Sequence, residues 1–444
     1  MLTPRTQYAR SGDVYLAYQV IGDGAYDVVL VLDWASHLEV LWEQPWVVEL
    51  VSEIARYARV LWFDMRGVGL SDGIGHAAVP PEEWMEDVGA VMDAAGSRRA
   101  TLFANGHASQ MALLFSATHP ERVASLVLMN GFARFARADD FPIGMPQEVR
   151  ETALDMIEAG WGSGTPGMMR WLAPSIAARP GMHEWWARLE RNSASPGTAL
   201  ARMRASLELD VRGILPLVVT PTLVIQNRDN AYVRVGHGRY LAEHIVGAEL
   251  LERDSADHWP LPDPDLLGAI EEFVTGSRAL EHDTDRFLAT VLVVDVAGST
   301  EHASDVGDRR WRVDRDRFEH TVRQTLLTYG GEFVDAAGDG VLATFDGPAR
   351  AIRCSVYLRN AVHQSGLDVR CGLHAGEVAR RESGITGIAV HITARVCALA
   401  APGEVLVTRT VRDLVAGSGI SFEKRGEHEL KGVPDRWALY AASG

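Results

Sequence analysis

Apolar runs and polar intervals alternate over the first 275 residues in a strand–helix rhythm. Residues 28–32, 60–64, 100–103, 125–129 and 222–225 are short runs rich in Val, Leu, Ile and aromatics, the pattern of strands buried on both faces. Residues 83–95 and 108–118 carry the amphipathic spacing of crossover helices. Together they predict an α/β domain, a mainly parallel sheet covered on both sides. From about 135 to 216 the rhythm breaks into a Trp-, Met- and Pro-rich, mostly helical stretch, which predicts a cap over the strand ends.

Residues 276–286 are polar and non-periodic, so a linker is expected between a domain over 1–275 and a second over 287–444. The second pattern reads strand 288–296, helix 308–328, hairpin strands 332–336 and 341–345, helix 348–364, strand 369–373, helix 388–400 and strand 404–407. Short β segments follow to residue 440. That order predicts an α+β, ferredoxin-like sheet with helices on one face.

The length of 444 residues exceeds one ordinary core and fits this division. A net charge of −16 excludes a nucleic-acid footprint, which needs clustered Lys and Arg. Cys354, Cys371 and Cys397 are odd in number and not spaced as zinc ligands, so buried thiols in a reducing cytoplasm are expected. The N-terminus lacks the apolar segment of a signal peptide, and no run of about 18 apolar residues predicts a membrane span.

Two acidic positions carry the candidate chemistry. Strand 288–296 delivers Asp295, followed by Val296-Ala297-Gly298-Ser299-Thr300, and the second hairpin turns on Gly338-Asp339-Gly340. Carboxylates on a strand end and on a glycine-flanked turn form an oxygen-lined site suited to Mg²⁺ or Mn²⁺ with substrate phosphates. Gly-Asp-Gly alone is also an ordinary hairpin turn.

The first 275 residues resemble the α/β-hydrolase family. The resemblance is carried by Phe63-Asp64-Met65-Arg66-Gly67-Val68-Gly69-Leu70-Ser71-Asp72, by His119-Pro120-Glu121-Arg122-Val123 and by Asp257-His258. The family places Gly-x-Ser-x-Gly on a strained strand-to-helix turn that exposes the serine. This chain reads Ala104-Asn105-Gly106-His107-Ala108, with Gly106 at the nucleophile position. The resemblance puts the acid at Asn230, beside Asp229, and the base at His258. A glycine has no atom to attack a carbonyl, so a degenerate triad is expected: a scaffold, a dimerisation surface, or a binder of a small apolar ligand under the cap.

The second domain resembles the class III nucleotidyl cyclases, of the bacterial type fused behind a hydrolase-like domain. The motifs are Asp295-Val296-Ala297-Gly298-Ser299-Thr300, Gly338-Asp339-Gly340-Val341-Leu342-Ala343-Thr344-Phe345, Gly372-Leu373-His374-Ala375-Gly376-Glu377, Val390-His391-Ile392-Thr393-Ala394-Arg395, Ala401-Pro402-Gly403-Glu404-Val405-Leu406-Val407 and Leu430-Lys431-Gly432. The resemblance implies conversion of ATP to 3′,5′-cyclic AMP and pyrophosphate, with two Mg²⁺ or Mn²⁺ ions on Asp295, Asp339 and the Val296 carbonyl. One ion acidifies the ribose 3′-hydroxyl and the other neutralises the triphosphate. Arg395 meets the charge on the α-phosphate, and Lys431 holds the terminal phosphates. The resemblance also implies a head-to-tail homodimer in which each site draws on both protomers.

Three positions depart from that family. Its base-reading lysine is Asp335 here, its base-reading aspartate falls on Gly384, and its transition-state asparagine is His391. An imidazole still donates one hydrogen bond to phosphate. A carboxylate at 335 complements the N1 and N2 donors of guanine, and Gly384 reads nothing. ATP with loose purine selectivity is expected, and GTP stays open. A further alternative is a degenerate nucleotide- or lipid-binding signalling protein without turnover. An active esterase is the least supported reading, because of Gly106.

Overall fold

The computed structural model describes residues 4–33, 35–73, 79–164, 167–276, 286–337, 340–381 and 384–443. Residues 277–285 of the expected linker 276–286, and the turn residues Gly338 and Asp339, lie outside the described residues. The chain divides into two compact units, Met1–Thr284 and Asp285–Gly444.

The first unit is built on eight strands: β1 (Gln7–Ser11), β2 (Val14–Ile21), β3 (Tyr26–Val31), β4 (Ala58–Phe63), β5 (Ala100–Asn105), β6 (Val123–Met129), β7 (Thr222–Asn227) and β8 (Glu249–Arg253). They run in the order β1-β2-β4-β3-β5-β6-β7-β8, with β2 antiparallel to β1 and β4 and the rest parallel. The five apolar runs became the buried strands β3 to β7, since a strand covered on both faces needs no polar alternation. The β1–β2 hairpin and β8 escaped that criterion because they form the sheet's two edges. β8 carries Glu249, Glu252 and Arg253 and is nowhere fully buried.

The helix Pro81–Ala94 is amphipathic as expected, but Ala108–Thr118 is buried at every residue. This second helix is covered by the sheet on one side and, on the others, by Pro81–Ala94 and the 3₁₀ turns around it. Two of its polar residues are satisfied inside: Gln110 donates to the Leu209 carbonyl (2.9 Å) and Ser116 to Thr220 (2.7 Å). Between β6 and β7, helices Gln147–Gly160, Met182–Ser193 and Pro196–Glu208 form the cap, where Trp185 and Trp186 pack on Trp259.

The second unit holds β9 (Arg286–Val296), β10 (Glu332–Ala337), β11 (Gly340–Phe345), β12 (Val369–Arg381), β13 (Gly384–Thr386), β14 (Val405–Thr408), β15 (Ser421–Glu429) and β16 (Arg436–Ser443). The sheet order is β10-β11-β9-β12-β14-β16-β15, with β13 folded back on β12. β9 to β12, with helices Asp308–Tyr329 and Pro348–His363, make a ferredoxin-like βαββαβ unit with β9 and β12 central. β12 runs well past residue 373, where the apolar run ends. Residues 374–379 stay strand because they continue the ladder with β9 down to Ala379 opposite Arg286. Among the described residues, no helix is long and apolar enough to cross a membrane.

Candidate functional site

The turn after β5 keeps the strained conformation of a nucleophile elbow: Gly106 has φ +57°. A Cβ placed on it would lie 2.5 Å from His258 Nε2 and 2.8 Å from Asp33 Oδ2. The imidazole and a carboxylate from the end of β3 therefore occupy the space of the missing side chain. His258 Nε2 and Asp33 Oδ2 are 2.8 Å apart, and the His107 backbone N–H donates to Asp33 Oδ1 at 3.2 Å. In the hydrolase family the N–H after the nucleophile serves the oxyanion hole. Here it serves an internal carboxylate.

Asn230 stands where the acid was expected, its Nδ2 3.3 Å from His258 Nδ1. The amide orientation follows from its other end, because Oδ1 accepts the backbone N–H groups of Tyr232 (2.9 Å) and Val233 (3.0 Å). Nδ2 therefore donates to Nδ1, which leaves the imidazole proton on Nε2, donated to Asp33. A working triad has the opposite tautomer, in which the nitrogen nearest the nucleophile accepts. The His258 loop is clamped in place: Asn105 and Asn130 both donate to the His258 carbonyl, at 3.1 and 2.8 Å. Sequence reasoning found Gly106, Asn230 and His258, which the structure brings together. It missed Asp33, whose signal is a lone carboxylate closing the apolar run 28–32.

Under the cap, His107 bonds Ser206 through Nδ1 and Tyr232 through Nε2, inside a cluster with Phe132 and Phe135. Burial pushes its pKa down to about 4, so the ring is neutral near pH 7. Ser109, one turn along, is fully buried with no partner for its hydroxyl among the described residues, and it does not replace the nucleophile.

In the second unit, Asp295 lies near the end of β9, with Arg370 of β12 as its cross-strand neighbour. Arg370 donates to Asp295 Oδ2 from Nε (2.9 Å) and Nη2 (2.6 Å). On the other side of β9, the register partner of Asp295 is Gly340, the chain neighbour of Asp339. Asp339 itself lies outside the described residues. Val296 follows Asp295 at the strand end, opposite Val369, before the left-handed Gly298 starts a helix. These are hard oxygen donors. The Arg370 bonds go to one carboxylate oxygen of Asp295, whose side chain keeps 27 % exposure, and among the described residues no three His, Cys, Asp or Glu side chains gather as a metal cluster. Arg370 was missed because its pairing with Asp295 becomes visible only with the register.

Arg395, His391 and Lys431 form a separate group. His391 and Arg395 sit four residues apart on helix Ile388–Leu399, both exposed, and Arg395 Nε donates to the Lys431 carbonyl (3.3 Å). That helix lies close on β12 because Gly372 has no side chain; a Cβ there would overlap the Cys397 backbone. Gly384 packs against β10, where a Cβ on it would lie 3.0 Å from Val334, the chain neighbour of Asp335. Asp335 Oδ1 accepts the N–H of Ala336 (2.8 Å), and Gly384 has φ +122°. The three cysteines are buried free thiols, and burial pushes Cys354 and Cys397 up to about 12.

Comparison with known proteins divides along the same line. "Putative carbamate hydrolase RutD" of Azorhizobium caulinodans is 29% identical over 258 residues, covering 56% of this chain and 91% of the relative. "Putative adenylate cyclase 3" of Rhizobium meliloti (strain 1021) is 26% identical over 157 residues, 33% of this chain, and the match spans only 27% of that relative's length. The enol-lactonase of Burkholderia xenovorans LB400 superposes with a TM-score of 0.52 at 21% identity, over 61% of this chain and all of the lactonase. The profile of the alpha/beta hydrolase fold matches residues 36–265, half of the chain. By that match, and by the strand order of its first unit, the chain belongs to the alpha/beta hydrolase fold family.

Proposed function

We propose that the second unit is a class III nucleotidyl cyclase that converts ATP to 3′,5′-cyclic AMP and pyrophosphate, and that the first unit has lost hydrolytic turnover. The observation that carries the cyclase reading is Asp295 on a central strand, flanked by Arg370 and by the neighbour of Asp339. The 157-residue match to "Putative adenylate cyclase 3", close in length to Asp285–Gly444, supports it.

Asp295, Asp339 and the Val296 carbonyl would hold Mg²⁺ or Mn²⁺, whose charge acidifies the ribose 3′-hydroxyl and offsets the triphosphate. Arg370, beside the carboxylate, is placed to take phosphate oxygens. Arg395 supplies a fixed guanidinium to the α-phosphate as the 3′-oxygen attacks it and pyrophosphate leaves. His391 donates one hydrogen bond to the same phosphate, and Lys431 neutralises the leaving group. The exposed face of helix Ile388–Leu399 supports a shared site: Ile388 (54 % exposed) and Leu399 (46 %) bracket His391 and Arg395, as suits docking on a second copy.

For the first unit, Asp33 in the place of an acyl oxyanion and the Nε2–H tautomer of His258 support the loss of hydrolysis. The hydrolase relative favours the opposite reading, an esterase or carbamate hydrolase, which would need a nucleophile that Gly106 does not offer.

Mixing two inactive variants tests the shared cyclase site. Asp295→Ala and Arg395→Ala should each be inactive alone. Mixed and allowed to exchange, they should regain about a quarter of wild-type activity, because half the dimers carry one intact site. No recovery in an exchanged dimer would overturn the shared arrangement.

A further inference from the structure

Helices Pro81–Ala94 and Pro196–Glu208 close over a cavity of about 20 Å³ lined by Met65, Trp84, His107, Arg202, Met203 and Ser206. Two of these side chains bring hydrogen-bond donors that have no acceptor among the described residues. Arg202 is 7 % exposed; its Nη1 donates to the Arg66 carbonyl (2.8 Å), its Nη2 meets only the Met65 sulfur (3.7 Å), and its Nε has no partner. Trp84, also 7 % exposed, leaves its indole N–H without a partner. His107 and Ser206 do not supply acceptors, being committed to each other and to Tyr232 and Gln110. A guanidinium withdrawn from water and left short of acceptors is costly, and nothing in the fold of a degenerate hydrolase requires it.

We propose that this cavity is an anion site, in which Arg202 Nε–H and Trp84 Nε1–H hold a halide or the carboxylate head of a short ligand. None of the six lining side chains is acidic, and Asp33 and Asp87 act on Arg202 through space. The cavity has room for one water-sized atom. The flexible thioethers of Met65 and Met203 can yield to the further atoms of a carboxylate. A neutral water would fill the space without answering the charge. This inference is independent of the cyclase reading.

Thermal unfolding of the full chain tests it, in chloride, bromide, formate, acetate or butyrate at constant ionic strength, with gluconate as the bulky balancing anion. An anion that fits should raise Tm by about 5 °C between 1 and 100 mM. The rise should vanish in Trp84→Phe, which removes only the N–H, and in Arg202→Met. Stabilisation by halides alone identifies an inorganic anion; stabilisation that strengthens with carboxylate chain length identifies a ligand head. No rise over gluconate in the wild type, or a rise that persists in Trp84→Phe, overturns the proposal and leaves the cavity to water. Should Arg202→Met not fold, the Trp84→Phe titration decides alone.

Discussion

His258 donates its Nε2 proton to Asp33, 2.8 Å away, across the space where a side chain on residue 106 would stand. The hydrolase elbow has thus closed around its glycine, and putting the serine back is not a simple repair. Gly106→Ser should lose about 1–3 kcal/mol of stability, from a positive φ and from displacement of the imidazole. It should also show no ester hydrolysis above the buffer rate. Thermal unfolding and a nitrophenyl acetate assay check both; a burst of nitrophenol from the variant would show that the imidazole can still act as a base.

The pair of Arg370 and Asp295 should matter for turnover far more than for folding. Both side chains keep about a third or a quarter of their surface in solvent, 33 % and 27 %. Such a pair stabilises by under about 1 kcal/mol. Arg370→Met should leave Tm within about 2 °C of wild type and lower cyclase kcat by about tenfold or more. A large loss of Tm with kcat intact would make Arg370 a structural residue.

Base selection should be weak. Asp335 spends one oxygen on its neighbour's N–H, and Gly384 presents no side chain. Strong discrimination requires site groups that the wrong base leaves unpaired. The kcat/KM values for ATP and GTP should therefore fall within about tenfold of each other. Gly384→Asp should not restore adenine preference, because its backbone sits at φ +122° with Val334 in the way. A hundredfold preference for either purine would contradict this.

Acid should weaken both units through buried histidines. Burial holds His107, His237 and His374 down at about 4, against 6.5 when exposed. Between those values the unfolded chain binds more protons than the native one. The stability each neutral ring contributes is complete above about pH 6.5 and is lost as pH falls toward 4, by up to about 3 kcal/mol each. Glu190, pushed up to about 7 by burial, works in the opposite sense over much of the same window. The check is therefore differential: denaturant midpoints at pH 7.5 and 5.0 should differ less in His374→Gln than in wild type. Equal differences would remove His374 from the account.

Much of this was legible in the residues, and the physical reason is burial. Strands β3 to β7 announce themselves as unbroken apolar runs because both their faces are covered. The edges β1 and β8, and the distal half of β12, mix polar and apolar positions and take their strand character from their neighbours. The site followed the same division. Gly106, Asn230, His258, Asp295 and Arg395 stand at positions to which the resemblances to two families point. Asp33, Arg202 and Arg370 acquire meaning only through partners at least 75 residues away in sequence, since Arg370 meets Asp295, Arg202 meets Arg66 and Asp33 meets His258.

The most direct measurement is product formation by the purified full chain with Mn²⁺ and ATP, resolved by chromatography, with Asp295→Ala as the control. The account predicts 3′,5′-cyclic AMP and pyrophosphate in equal amounts from the wild type and none from the variant. No cyclic product from any purine triphosphate, or equal product from Asp295→Ala, would contradict it.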